Sequence, residues 1–342
     1  MPRNSHVTFS AGYTFRRSGF ALCCSAPIQC LLVLMALFCV APASLAVAPG
    51  PPPVPFHFVK GFAVIVPVTV NGQGPYEFML DTGSTITSVD PELGQELALE
   101  VRGQSTVTTL TERKPTLLAV VRRMAIGPMA EENVVVMVRD LSGLRNIAPA
   151  ARGVLGQNAL IHGDFLLDYK HKLMEFDTDG ELARSLDGHH VPLRREAFGN
   201  DPKYANLAVH LSVNDNGTRE MDFLLDSGAA APVIFGGIES SGRGYPESFV
   251  ADTAGRQLLA NVRDLHLEID GKSKELPSHV LTSRGPGRNI GGLLPTWIFN
   301  RIYISNSGGF AVFEPKQKKE SRQDRVVAAV RPQASAPHHG GF

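Results

Sequence analysis

Apolar and polar residues alternate in short runs along most of residues 57–316, and Gly, Asn or Pro residues separate these runs. Alternation with a period of two is typical of strands that bury one face. The run "VIVPVTV" at 64–70 is a clear example, and the Asn-Gly pair that follows it indicates a β-hairpin. Helix signals are few; the best lies at 90–99, where Asp90 suits the N-cap and Pro91 the first turn. The pattern therefore predicts a mainly β fold.

The chain also repeats itself. Residues 64–84 resemble 206–229: each has an alternating strand, an Asn-Gly turn, a second apolar strand and an Asp-Thr/Ser-Gly triplet. Further matches follow in the same order, 117–122 with 258–263, 153–160 with 292–299, and more loosely 165–177 with 300–315. Ordered matches of this kind indicate a duplication, which predicts an N-terminal lobe at 57–190 and a C-terminal lobe at 191–316.

Each Asp-containing triplet directly follows a bulky apolar run, 78–80 in the first copy and 223–225 in the second. Asp81 and Asp226 therefore stand where the pattern predicts another buried side chain. A buried carboxylate is costly unless it is hydrogen-bonded, paired or protonated. A single triplet of this type arises easily by chance, whereas two at the same place in a repeat point to chemistry.

The sequence resembles the aspartic-protease superfamily, specifically the retropepsin-like proteins in their fused, two-lobed, exported bacterial form. The resemblance covers most of residues 57–315 and is based on the two tetrapeptides Asp81-Thr82-Gly83-Ser84 and Asp226-Ser227-Gly228-Ala229. A Gly-containing apolar segment follows each of them, at 153–160 and 292–299. The resemblance implies a bilobal pepsin/retropepsin-like β-barrel fold, with one aspartate from each lobe at a central cleft. It also implies hydrolysis of peptide bonds.

Two adjacent carboxyl groups cannot both ionise easily, so they share a proton and titrate as a pair. The ionised member can take a proton from a water molecule, and the protonated member can polarise the carbonyl oxygen of the substrate. Asp81 and Asp226 are the predicted catalytic residues. This chemistry requires no metal and no cofactor, and we expect neither.

The neighbouring residues are predicted to support this pair. Gly83 and Gly228 let the backbone turn tightly and bring its N–H groups toward the carboxylates. In the family, the hydroxyl groups that correspond to Thr82 and Ser227 hold the two loops together. Ser84 can donate a hydrogen bond to Asp81. Its counterpart Ala229 cannot donate to Asp226, so we expect the shared proton to lie preferentially on Asp226.

Two departures from the family pattern concern the surroundings of the pair. Pro295 stands in the second lobe where Gly156 stands in the first, so the backbone under Asp226 can differ there. The flap hairpins of the family should fall near 103–116 and 250–257. No Tyr occurs between residues 82 and 168, so the flap tyrosine of pepsin-like enzymes is missing, as in retropepsin-like members.

The predicted function is that of an aspartic endopeptidase acting on a protein or peptide substrate. Two alternatives remain open: a catalytically silent, peptide-binding envelope module with the same cleft, and a duplicated fold that keeps its Asp turns for architecture alone. Because the two lobes are fused in one chain, we expect a monomer.

The N-terminal residues 1–46 have the organisation of a signal peptide. Arginines precede a short apolar core, "LLVLMALFCVAPA" at 31–43, and small residues follow at 44–48. This predicts export to the periplasm or the extracellular space, with an uncleaved membrane anchor as the alternative. All four cysteines lie within the first 40 residues, so the cleaved chain would form no disulfide.

Composition predicts the nature of two further segments and argues against two other kinds of function. Residues 47–56 are predicted to be a Pro-rich linker, and 317–342 a disordered tail. The formal net charge of zero does not favour a nucleic-acid partner. The eleven histidines form no HExxH motif, so we expect no metal site; His162 and His171 are interpreted as structural or surface groups.

Overall fold

The computed structural model describes residues 50–110, 113–197, 204–214, 217–236, 246–269, 271–283 and 289–316. The predicted signal peptide and C-terminal tail lie outside the described residues. Among the helices within these ranges, none has the length and apolar character to cross a membrane. The described fold starts inside the predicted linker, because Val54 and Pro55 form a strand and Phe56 is buried. The limits of the two lobes stay predictions.

Among the described residues, the first half of the chain contains eleven strands: β1 (Val54–Pro55), β2 (His57–Val59), β3 (Ala63–Val70), β4 (Gln73–Leu80), β5 (Thr87–Val89), β6 (Val101–Thr108), β7 (Arg113–Ile126), β8 (Met129–Val138), β9 (Ala151–Leu155), β10 (Asp164–Asp168) and β11 (Leu173–Asp177). Its helices are short: α1 (Pro91–Glu96), α2 (Ser142–Arg145), α3 (Glu181–Ser185) and the 3-10 turn η1 (Gln157–Ala159).

The described part of the second half continues with ten strands: β12 (Val191–Ala197), β13 (Ala205–Asn214), β14 (Thr218–Asp226), β15 (Val233–Ile234), β16 (Glu247–Ala251), β17 (Gln257–Ile269), β18 (Lys272–Val280), β19 (Ile290–Pro295), β20 (Phe299–Ser305) and β21 (Phe310–Pro315). A 3-10 turn, η2 (Thr296–Ile298), follows β19. The mainly β character that the alternation predicts is confirmed.

Strand pairing repeats between the two halves. In the first, β4 pairs with β9 in parallel and β5 lies between β9 and β8 in an 8-stranded sheet of order β2-β3-β4-β9-β5-β8-β7-β6. In the second, β14 pairs with β19 in parallel and β15 lies between β19 and β18. The equal succession of strands confirms the duplication that the sequence predicts.

The two halves are joined by a sheet that takes a hairpin from each. The β10–β11 and β20–β21 hairpins pair through β10 and β20, with Phe165 opposite Ile304 and Asp168 opposite Arg301. These strands belong to a 13-stranded sheet that continues into the second half. They are the segments 165–177 and 300–315 that match loosely in the sequence.

Apolar side chains on both faces of the central strands hold this arrangement together. Along β3, one set of valines packs into the main core: Val64, Val66, Val68 and Val70. Ile65 points to the opposite face and packs with Met79 in a separate cluster. The main core also takes in apolar side chains of β13 and β14, such as Val209 and Phe223. Each fully buried side chain of this size contributes about 1.5–3 kcal/mol.

The predicted helix at 90–99 is present but shorter. Asp90 accepts a hydrogen bond from the backbone N–H of Leu93 at 2.6 Å, and Pro91 begins α1. The helix ends at Glu96, and Ala98 has a left-handed φ of 47° that turns the chain away. The N-terminal signals were therefore correct, while no Gly or Pro in the sequence marked the end.

Both expected flap positions are occupied by hairpins. The first flap is the β6–β7 hairpin, whose strands pair from Val101 with Ala119 to Thr108 with Arg113. The second flap is the β16–β17 hairpin, in which Ala251 pairs with Gln257. These positions agree with the sequence predictions of 103–116 and 250–257.

Candidate active site

Each aspartate of the two triplets lies where a central strand ends. The N–H of Asp81, directly after β4, donates to the carbonyl of Leu155 at 3.0 Å. Asp226 is the last residue of β14 and lies opposite Pro295 of β19. Both side chains are buried, with exposures of 9% for Asp81 and 8% for Asp226. The parallel pairing with β9 and β19 thus carries both carboxyl groups into the interior.

The two carboxyl groups are hydrogen-bonded to one another. The pKa of Asp226 is well above its ordinary value, mainly because of burial and then because of the nearby charge of Asp81. Hydrogen bonds from the backbone N–H groups of Gly228 and Ala229 act in the opposite direction but are weaker. Asp226 is therefore the member of the pair that holds a proton.

Asp81 is surrounded by a different set of donors. Its Oδ1 atom accepts from the N–H groups of Gly83 at 3.0 Å and Ser84 at 3.1 Å. Its Oδ2 atom accepts from the hydroxyl of Ser84 at 2.7 Å, which confirms the predicted bond. Asp226 receives backbone donors, with Gly228 at 2.8 Å, but Ala229 has no hydroxyl to add. The donors therefore favour negative charge on Asp81 and the proton on Asp226.

The side chains of Thr82 and Ser227 join the two triplets in a reciprocal network. The Thr82 hydroxyl donates to the carbonyl of Leu225 at 2.7 Å and accepts from the Ser227 N–H at 3.0 Å. In turn, the Ser227 hydroxyl donates to the carbonyl of Leu80 at 2.8 Å and accepts from the Thr82 N–H at 3.1 Å. Both residues are fully buried, so this network links the ends of β4 and β14 without water.

Gly83 and Gly228 are needed for space, and not for an unusual backbone conformation. Neither has a positive φ, so a backbone conformation reserved for glycine is not the reason for these residues. A Cβ atom on Gly83 would lie 2.6 Å from Cγ of Asp226, and one on Gly228 would lie 3.0 Å from Cγ of Asp81. Each glycine thus lets the carboxyl group of the other lobe approach its own loop.

A family model matches part of the chain. Residues 66–159 match the family model described as aspartyl protease, and this range includes Asp81 and its triplet. Over this segment, which is about a quarter of the chain, the sequence is similar to aspartyl proteases.

A likeness also exists among solved structures. The chain is similar to a crystal structure of a retropepsin-like aspartic protease from Rickettsia conorii, with 19% sequence identity and a TM-score of 0.28. That match covers 37% of this chain and 89% of the other chain. No curated protein matches the chain.

Apolar residues of both flaps pack in the same cluster as Ala229, the residue after the second triplet. Leu110, just after β6, packs in one apolar cluster with Val250 and Leu258 of the second flap and with Ala229. The hydroxyl of Thr109 donates to Asp252 Oδ2 at 2.9 Å, so the two flaps also touch one another. Both flaps therefore contribute apolar side chains to the cluster that contains Ala229.

Arg139, which the sequence did not mark, is a positive charge near Asp81. Its Nε atom donates to the hydroxyl of Ser88 and its Nη1 atom to that of Thr253, each at 2.9 Å. Burial lowers the pKa of Arg139, while the carboxylates of Asp81, Asp252 and Asp140 raise it. The guanidinium thus connects β5 of the first half with the turn of the second flap.

Asn206 is another contact that no motif marked. Its side-chain amide donates to the carbonyl oxygen of Gly83, so β13 of the second half contacts the first triplet. Asn206 stands alone among apolar residues at the start of β13, and no sequence motif identifies it as a contact of the first triplet.

His162 and His171 lie in surroundings of the kind predicted for them. His162 contacts Glu131 and His171 contacts Asp168, each at 2.8 Å, as structural or surface pairs. His190 stacks on Phe310 with a centroid distance of 4.0 Å. In the part of the chain that the structure describes, no three His, Cys, Asp or Glu side chains are grouped to bind a metal ion.

Proposed function

We propose that this protein is an aspartic endopeptidase that hydrolyses peptide bonds with a water molecule activated between Asp81 and Asp226. The observation that carries the proposal is a buried, hydrogen-bonded pair of carboxyl groups with unlike surroundings. The family match over 66–159 supports aspartic protease activity in general.

The unlike surroundings suggest how the two roles are divided. Asp81, with donors on both oxygens, is ionised and takes a proton from the attacking water. Asp226, which holds a proton, donates a hydrogen bond to the substrate carbonyl oxygen and so stabilises the negative charge that develops there. When the tetrahedral intermediate breaks down, the proton taken from water is delivered to the leaving nitrogen. No covalent bond to the protein forms at any step.

The flaps suggest the substrate class. Leu110, Val250 and Leu258 belong to the same apolar cluster as Ala229 beside Asp226, and this supports an extended peptide with apolar side chains as the substrate. Closing such hairpins over a bound peptide excludes water and fixes the scissile bond.

The test is digestion of a peptide library by the purified chain from residue 47, across pH 3–8, with and without pepstatin. Asp81→Asn and Asp226→Asn should each lower turnover by at least about 100-fold while the fold is kept. Asp264→Asn, which removes an exposed carboxylate on β17, is the matched control and should keep full turnover. Peptide binding without turnover in the unmodified protein would instead favour the silent binding module.

We further propose that the chain acts outside the cytoplasm as a monomer, because of the signal-like organisation of 1–46 and the presence of both lobes in one chain. Mass spectrometry of the exported protein should find a new N-terminus between Ser44 and Pro49. Recovery of the uncleaved chain from membranes would favour the anchor, and a dimer in sedimentation would refute the monomer.

A further inference from the structure

In the first half, a hydrogen-bond network built on Thr87 and Asn158 lies under the loop that carries Asp81. The Thr87 hydroxyl accepts from the N–H of Gly156 at 3.1 Å and donates to Asn158 Oδ1 at 2.9 Å. The Thr87 N–H donates to the same Oδ1 atom at 2.8 Å. The Asn158 amide group reaches the carbonyl of Val135 at 2.7 Å. Strands β5, β8 and β9 are thereby locked together under the first aspartate.

The second half cannot form this network. The strand registers make three pairs of positions equivalent: Thr87 with Pro232, Gly156 with Pro295, and Asn158 with Trp297. Pro295 has no N–H to replace the donor of Gly156, and Pro232 has no hydroxyl to replace the acceptor of Thr87. The hydrogen bond between these two positions is therefore absent in the second half. The loop under Asp226 must be held in another way.

The indole of Trp297 provides one replacement contact. Its Nε1–H donates to the carbonyl oxygen of Ala229 at 3.0 Å. Ala229 in turn donates its backbone N–H to the carboxyl group of Asp226. The indole therefore fixes the residue whose N–H orients Asp226.

The phenol of Tyr169, from the first half, provides the other contact. It shares a hydrogen bond of 2.5 Å with the hydroxyl of Thr296, the fully buried residue directly after Pro295. Phe56 and Phe58 pack against the Tyr169 ring at centroid distances of 5.9 and 5.4 Å, so the ring is held firmly. The phenol itself is buried, and this burial raises its pKa and keeps it protonated.

We propose that Tyr169 and Trp297 are positioning residues for Asp226, which replace the Thr87–Asn158 network with one contact from each half of the chain. The kinetic consequence rests on the proposed function, whereas the structural consequence does not. Burial is the main reason why Asp226 keeps its proton, so loosening the loop under it would hydrate the carboxyl group and let it ionise at lower pH. The charged group that faces Asp226 is Asp81, and the other titratable group beside it is Tyr169.

The kinetic test compares Tyr169→Phe with Tyr303→Phe. Both changes remove one hydroxyl from a buried ring, but the Tyr303 hydroxyl donates to Asp177 at 3.0 Å, away from the pair. Tyr169→Phe should lower kcat about 3- to 10-fold with KM nearly unchanged and move the basic limb of the kcat profile to lower pH. Tyr303→Phe should leave both at their wild-type values. Equal profiles in the two variants would overturn the proposal.

A second test needs no activity, because Trp297 is the one tryptophan in the chain. Its fluorescence emission should change in a pH titration as the pair ionises, and Asp226→Asn should abolish that step. Tyr169→Phe should lower the midpoint by up to about one pH unit, while Tyr303→Phe should not move it. Emission that is independent of pH, or a midpoint that Tyr169→Phe leaves unchanged, would overturn the proposal. A protein that hydrolyses no peptide but shows the predicted titration would refute only the proposed function.

Discussion

Replacing Ser84 with Ala tests the division of roles between the two aspartates most directly. The Ser84 hydroxyl donates to Asp81 Oδ2 at 2.7 Å, a short bond to the oxygen that Gly83 and the Ser84 N–H do not reach. The substitution removes this donor and leaves both backbone bonds to Oδ1 in place. The substitution therefore makes the ionised form of Asp81 less stable and changes little else.

The size of the effect follows from the strength of such bonds. A hydrogen bond to a charged group contributes about 1.5–3 kcal/mol, although part of this is recovered if water enters. Because one pKa unit corresponds to about 1.4 kcal/mol, the first ionisation of the pair should rise by about one to two pH units. The active form needs one ionised carboxylate, so the acidic limb of kcat/KM should move upward by that amount. The shift belongs to the pair, since the two groups titrate together.

The assay is kcat/KM against pH with one fluorogenic peptide chosen from the library digestion. Ala229→Ser should have the opposite effect, because it adds the missing hydroxyl beside Asp226 and should move the acidic limb to lower pH. Ser185→Ala is the control, since that hydroxyl donates at 2.8 Å to the carbonyl of Leu182 on the exposed face of α3. Unchanged acidic limbs in both site variants, with folding intact, would refute the argument that these side chains set the protonation of the pair.

Three further predictions concern stability and close packing. Because the pKa of Asp226 is raised in the folded state, its carboxyl group stabilises the fold at acid pH, and this contribution is lost as the pH rises through the folded pKa. The Tm of Asp226→Asn relative to the unmodified protein should therefore increase from about pH 4 to neutral pH, and a difference that is independent of pH would contradict this. Gly83→Ala should lower the free energy of unfolding by about 1–3 kcal/mol in denaturant titrations, since its Cβ would lie 2.6 Å from Asp226 Cγ, whereas Gly103→Ala meets nothing within 4 Å and should cost little. Gly143→Ala would place a Cβ 2.2 Å from the backbone nitrogen of Gly255 in the second flap. It should separate that flap from α2, which spin labels on the two segments would report as a longer distance; an unchanged distance would refute this.

Much of the fold could be predicted from local patterns. Asn71-Gly72 follows an alternating run and forms the β3–β4 turn, with positive φ at both residues, as a short hairpin requires. Asp90 and Pro91 mark the start of α1 because capping depends on residues close together in the chain. Because the sequence is duplicated, features predicted in one half could also be placed at the matching residues of the other half. The position of the second flap was predicted in this way. Periodicity, turn chemistry and repetition all act over short distances in sequence.

The remaining features depend on contacts between distant segments. Tyr169 meets Thr296, and Arg139 meets Thr253, across more than a hundred residues that share no motif. The role of Gly83 was expected to be conformational, yet the carboxyl group of Asp226 from the other half of the chain requires the space. A single sequence has no signal for such partners, because any buried polar residue can be satisfied in many ways.

The two halves show how a duplicated site acquires two different roles. The strands place Asp81 and Asp226 in equivalent positions, and the Thr82–Ser227 network treats both sides alike. If the surroundings of the two carboxyl groups were also equivalent, the shared proton would lie equally on Asp81 and Asp226. Burial raises the pKa of Asp226, and a substitution beside the pair adds to the preference: a hydroxyl remains at Ser84 and is absent at Ala229, so Asp81 has one more donor for its negative charge. On this reasoning, the flanking residues add to the division into base and acid, and exchanging Ser84 and Ala229 should weaken the preference for a proton on Asp226.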